Sequence, residues 1–103
     1  PWEVSKSFDG SAPISSFVSK DRFADLGNIN FSLKVNGVVR QASTTGLMLF
    51  RFDEVVSHAS RFFTLNEGDI IFTGTPKGVA AVHRGDRLEA FLEDDKMLDF
   101  EVV

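Results

Sequence analysis

Ile29-Asn30-Phe31-Ser32-Leu33-Lys34-Val35-Asn36-Gly37-Val38-Val39-Arg40-Gln41-Ala42-Ser43 is the stretch that decides the fold. Ile29, Phe31, Leu33 and Val35 alternate with Asn30, Ser32 and Lys34, the period of a strand with one apolar face. Asn36-Gly37 follows, and both residues tolerate the positive φ of a tight hairpin turn. Residues 38–43 are then the returning strand. Two registers are open. A two-residue loop sets Leu33 opposite Arg40 on the apolar face. A three-residue loop sets Lys34 beside Arg40 and turns Val39 and Gln41 to the apolar side, where Gln41 needs a buried partner.

Downstream, Phe52, Val55, Val56, Ala59, Phe62 and Phe63 recur with the spacing of one helical face. Asp53 is the expected N-cap, with Glu54 favourable in the first turn. After a turn at Leu65-Asn66-Glu67-Gly68-Asp69, Ile70-Ile71-Phe72-Thr73 lacks alternation and predicts a strand covered on both faces. It ends at Gly74-Thr75-Pro76. Beyond Gly85-Asp86, Leu88, Ala90 and Leu92 alternate with Arg87 and Glu89. Leu98, Phe100 and Val102 alternate with Asp99 and Glu101, so a second hairpin turns at Asp94-Asp95. The expected order is two strands, a helix and three strands, mainly β with one clear helix (α+β). The first 28 residues are loop-rich.

The chain has 103 residues, 43% of them hydrophobic and 25% charged, the make-up of one modest globular domain. A formal charge of −4 argues against a nucleic-acid binder, which needs a basic stripe to displace counterions. With no cysteine, disulfides, thiolate metal sites and cysteine nucleophiles are excluded. No apolar run approaches the ~18 residues of a membrane helix, and no signal-peptide pattern opens the chain. The expectation is a soluble, cytoplasmic protein without membrane or nucleic-acid partners. The eleven Phe read as core packing. Pro1 stands where Met is usual, as after Met removal, trimming or division of a longer chain.

Phosphate-loop, dinucleotide, zinc-protease and nucleophile-elbow motifs are all absent. His58 lies on the polar side of the helix and His83 in a loop, both ordinary surface positions. Glu93-Asp94-Asp95 is the densest carboxylate cluster and occupies a turn. Glu67, Asp69, Asp9 and Asp86 flank turn glycines, and no spacing reads as a site for a hard cation. Two segments fit a purely structural account less well. Lys6 stands in the partly apolar stretch Trp2-Glu3-Val4-Ser5-Lys6-Ser7-Phe8-Asp9, and a lysine near a developing oxyanion stabilises it. Thr73-Gly74-Thr75-Pro76 puts small donors at a strand end. Pattern alone reads the first as an exposed lysine and the second as a turn.

Together these segments resemble the C-terminal part of the fumarylacetoacetate hydrolase family. The resemblance is carried by Lys6-Ser7-Phe8-Asp9 with Ala12-Pro13, Val35-Asn36-Gly37 with Arg40-Gln41, Thr45 and Met48. It continues through Thr64-Leu65-Asn66-Glu67-Gly68-Asp69-Ile70-Ile71, Thr73-Gly74-Thr75-Pro76-Lys77-Gly78-Val79 and Gly85-Asp86. It covers essentially the whole chain and is nearest the acylpyruvase, oxaloacetate decarboxylase and dienedioate isomerase branch. It implies a mixed β-sandwich roll, incomplete at its N-terminal side, with residues 1–103 as one domain, the C-terminal portion of a catalytic domain. It also implies a homodimer, Mg²⁺ or Mn²⁺ on three carboxylates, and a small 2-oxo acid as substrate. Lys6 matches the family's active-site lysine, Thr75 a substrate-contacting threonine, and Glu89 a glutamate catalytic in some members. The metal carboxylates and the lid lie upstream of the lysine segment, so the cation's ligands are expected outside this chain. Ala80, where Gly is usual, and Ser15-Ser16, where Gly-Pro is common, depart from the pattern.

The resemblance implies a parent enzyme, a divalent-metal-dependent hydrolase of acylpyruvate-type β-diketo acids, the chain alone being inactive. Dienedioate isomerisation or oxaloacetate decarboxylation on the same scaffold is the first alternative. A non-catalytic, self-associating β module is the second, motivated by the missing ligands and the Phe content.

Overall fold

The computed structural model describes all 103 residues. After a short helix, α1 (Trp2–Lys6), come β1 (Asn30–Val35) and β2 (Val38–Thr44), then the main helix, α2 (Phe52–Ser60), then β3 (Arg87–Leu92) and β4 (Asp95–Glu101). Single 3₁₀ turns occupy Lys20–Arg22 and Thr45–Leu47. The strands form one antiparallel sheet in the order β2-β1-β3-β4. The fold is mainly β with one clear helix, as expected.

The first hairpin turns at Asn36 (φ 52) and Gly37 (φ 80), whose left-handed backbone suits the twist of the flanking strands. Its register is neither of the two expected. Val35 faces Val38 and Lys34 faces Val39, as a two-residue loop requires, but Leu33 then faces Gln41. Arg40 is the extra residue of a β-bulge. The bulge removes the arginine from the apolar face, which resolves the conflict in the pattern, and seats Gln41 opposite Leu33.

Side chains clasp β1 to β3 at both ends. Asn36 accepts from Arg87 N (2.9 Å), donates its backbone N–H to Arg87 O (2.8 Å) and its amide to Asp86 Oδ1 (2.9 Å). Asp86 also accepts from His83 N (2.8 Å). At the other end Glu93 accepts from Asn30 N (2.9 Å) and Asn30 Nδ2 (3.3 Å). These clasps bring β3 from far along the chain into register beside β1. The second hairpin turns at Glu93 and Asp94, one residue earlier than expected, with Leu92 facing Asp95.

One sheet face carries Phe31, Leu33, Val35, Leu88, Ala90, Leu92, Leu98 and Phe100, all of them at least half-buried. Only Ile29 and Val35 are buried, each 5% exposed. The total surface of 8405 Å² exceeds the about 5,800 Å² of a compact monomer of this mass.

Two further expectations are corrected. Asp53 does not cap α2; Arg51 does, its extended backbone donating N–H to the Glu54 carboxylate (2.7 Å) while Asp53 pairs with the Arg51 side chain. Residues 70–73 form no strand and are not covered on both faces: Ile70 is 45% and Phe72 69% exposed. No backbone group from 70 to 82 joins a backbone-to-backbone hydrogen bond, and no strand of the sheet pairs with the segment. The apolar face of α2 likewise leaves Val56 exposed, and Phe62 and Phe63 beyond it.

Candidate functional site

The segment Gly74-Thr75-Pro76-Lys77-Gly78 is fastened to β2 at the Arg40 bulge. Gln41 Nε2 lies 2.9 Å from Thr75 Oγ1, 3.0 Å from Pro76 O and 3.4 Å from Lys77 O. The two carbonyls accept only, so the amide nitrogen of Gln41 faces them and Thr75 accepts from it. No group in the chain accepts the Thr75 hydroxyl proton. Gly78 takes φ +103, and a Cβ there would lie 2.5 Å from Arg40 O. Only glycine lets the loop approach the bulge this closely.

Lys6 ends α1, its Nζ 5.1 Å from the Trp2 ring centroid, a cation–π contact at an exposed site. No hydrogen bond or ion pair links Lys6 to Thr75 or Gln41. Thr45, part of the family pattern, ties the start of β1 in place. Its hydroxyl donates to Leu26 O (2.7 Å) and accepts from Ile29 N (3.0 Å).

Glu89 belongs to a charge network on the sheet's other face. Lys96 Nζ lies 2.7 Å from Glu89 and 3.1 Å from Asp99, and Arg87 grips Asp99 through two nitrogens at 2.8 and 2.6 Å. The hydrogen bonds from Arg87 and then Lys96 hold the Asp99 carboxyl well below the usual range. The Lys96 hydrogen bond also lowers Glu89, and in return the Glu89 bond raises Lys96. Asp86 is lowered chiefly by the Asn36 amide.

The residues present do not fit a divalent cation. No three acidic or imidazole groups converge, and the acidic cluster of the sequence is committed elsewhere: Glu93 to Asn30 and Asp95 to Arg22. The His58 ring lies tilted against Phe62, with centroids 5.3 Å apart, and His83 stands beside Asp86. Two surface hollows, one along Asp53, Ser57 and His58 and one between Phe17 and Phe91, include neither Lys6 nor Thr75.

Gln41 is the residue the sequence half disclosed. A polar side chain on an apolar strand face calls for a partner, and that signal is visible. The partner's identity is not, since Thr75 is 34 positions away.

Residues 1–102 match the model of the fumarylacetoacetate (FAA) hydrolase C-terminal domain. A mitochondrial oxaloacetate tautomerase of Bos taurus is 43% identical over 102 residues, 99% of this chain and 46% of that protein. The crystal structure of fumarylpyruvate hydrolase from Pseudomonas aeruginosa, in complex with Mn²⁺ and pyruvate, superposes with a TM-score of 0.91 at 41% identity, over 100% of this chain and 44% of that one. Maleylpyruvate hydrolase from Sphingobium sp. SYK-6, also with manganese(II) and pyruvate, gives 0.77 at 33% identity over 84% and 33%. The chain spans about half the length, or less, of these relatives.

Proposed function

The chain belongs to the fumarylacetoacetate hydrolase family, and on that premise we propose that it is one domain, the C-terminal portion of a catalytic domain, in an enzyme that hydrolyses acylpyruvate-type β-diketo acids. The observation that carries the reading is kinship along the full chain with a hydrolase crystallised with pyruvate. Water adds to the acyl carbonyl, the C–C bond breaks, and its electron pair passes into the enolate of the 2-oxo acid, which solvent protonates. Charge gathers on oxygen in this step, and a nearby ammonium stabilises it. Lys6 supplies that ammonium. Thr75 supplies a hydroxyl donor to the substrate, supported by its uncommitted proton.

A divalent cation, Mg²⁺ or Mn²⁺, belongs to this reading of the whole protein and would be held outside these residues. Lys6 and Thr75 act on the substrate itself, through charge and hydrogen bonding. The apolar surface left open on Phe17, Phe62, Phe63 and Phe72 supports a homodimer within the same reading.

A second reading, keto–enol isomerisation of oxaloacetate, is favoured by the 43% identical tautomerase. It passes through the same enolate-like charge and uses Lys6 alike. Assaying acetylpyruvate and oxaloacetate side by side in the whole protein separates the two by product. Lys6→Met is expected to lower turnover by about a hundredfold or more, as for loss of a charged oxyanion donor, with the melting temperature nearly unchanged. Equal turnover in that variant contradicts the assignment.

A further inference from the structure

We propose that Gln41 is the positioning residue of this site, holding the Thr75 hydroxyl as a donor aimed at the carboxylate of a small organic acid. The proposal rests on the reading that Thr75 meets substrate.

A threonine hydroxyl in water donates and accepts indifferently. In this fold its accepting side is occupied by Gln41 Nε2 at 2.9 Å, and that nitrogen cannot turn away without abandoning Pro76 O at 3.0 Å. The orientation of the amide is therefore dictated by backbone carbonyls, not by the ligand. A hydroxyl that already accepts one hydrogen bond is polarised into a stronger donor. The remaining proton suits a group that only accepts, and an ionised carboxylate is the strongest such group among small metabolites.

The backbone prepares this arrangement. The Arg40 bulge seats Gln41 opposite Leu33, and Gly78 lets the loop close to Arg40 O and to Gln41 Cγ, 3.0 Å from where a Cβ would stand. With no backbone hydrogen bond between 70 and 82, the Gln41 carboxamide provides the hydrogen bonds that locate Thr75 on the sheet.

The test uses the whole protein carrying this chain and two probes, pyruvate and its neutral analogue pyruvamide. Their dissociation constants are measured by titration for the unsubstituted protein, Thr75→Val, Gln41→Met and the double variant. Methionine keeps the length and neutrality of glutamine and removes its donors. The preference for pyruvate is expected to fall by about tenfold in each single variant, the loss of one hydrogen bond to a charged group, and no further in the double. A purely structural Gln41 would weaken both probes equally and leave their ratio intact, which overturns the proposal, as does an additive double variant. An unchanged ratio in Thr75→Val instead overturns the Thr75 reading beneath it. Should Gln41→Met fail to fold, the unsubstituted protein still decides. The Gln41 side-chain amide protons are expected to shift as pyruvate saturates and not with pyruvamide, and resonances unmoved by both overturn the proposal.

Discussion

Strand β1 and residues 70–73 are both short runs that the sequence pattern reads as strand, the first alternating and the second continuously apolar up to Thr73. The first is hydrogen-bonded on both sides, to β2 and to β3. The second has no backbone partner, and Phe72 is 69% exposed where Val35 is 5% exposed. The difference lies less in the runs than in what flanks them. Asn36 and Asn30, at the two ends of β1, reach Arg87, Asp86 and Glu93 and so fix a neighbour that arrives from far along the chain. Beside residues 70–73 the Gln41 amide holds only the following loop, at Thr75 and Pro76, and brings no strand into register; β-propensity without a cross-strand partner builds no ladder. The inner strands β1 and β3 are therefore paired on both sides within the chain, whereas the loop bearing Thr75 is tied to the sheet by one side chain.

The widest separation between the two regions is expected from truncation. Ile29→Ala should lower the unfolding free energy by about 2–4 kcal/mol, as for a buried aliphatic residue, and Phe72→Ala by less than about 0.5 kcal/mol, as at an exposed site. Denaturant titration of both variants checks this, and similar losses would erase the distinction.

Gly78→Ala sharpens it. The left-handed backbone and the approach to Arg40 O are expected to cost the docked loop about 1–3 kcal/mol. The loop then lifts while the sheet stays. Side-chain amide resonances of Gln41 would move to solvent-like positions with the melting temperature nearly constant. A cooperative loss of the whole fold would show that the loop supports the sheet after all.

The smallest effect concerns pH. Asp99, Glu89 and Asp86 have folded-state values below their unfolded ones, so their stabilisation is complete above about pH 4.5. It is lost as the pH falls through the lowered values. Lys96 is raised, so its contribution persists below about pH 10 and is lost as the pH rises through its folded value. Because these groups are partly solvated and screened, Asp99→Asn should only flatten the fall in melting temperature between about pH 4 and pH 2. Salt should shrink the difference, and an unaltered acid profile would contradict the network.

The hairpins were legible because turn chemistry is local: Asn36-Gly37 needs two left-handed residues and has them. The helix was legible from its period, although its cap was misplaced by two residues, because Glu54 reaches back to Arg51. The bulge at Arg40 was not legible. It answers to the Leu33 face and to the loop at Gly78, and no window of neighbouring residues contains both. The same separation hid Gln41's partner while leaving its need for one visible. Residues 70–73 misled because an apolar run without alternation states a preference for cover and not whether cover is present.

Residue-by-residue amide exchange of the 103-residue chain tests the contrast most directly. Strong protection is expected for the paired amides of β1 and β3, and exchange near the unprotected rate from 70 to 82, where no amide has a backbone acceptor. Protection of Ile71 and Phe72 equal to that of Leu33 would contradict it.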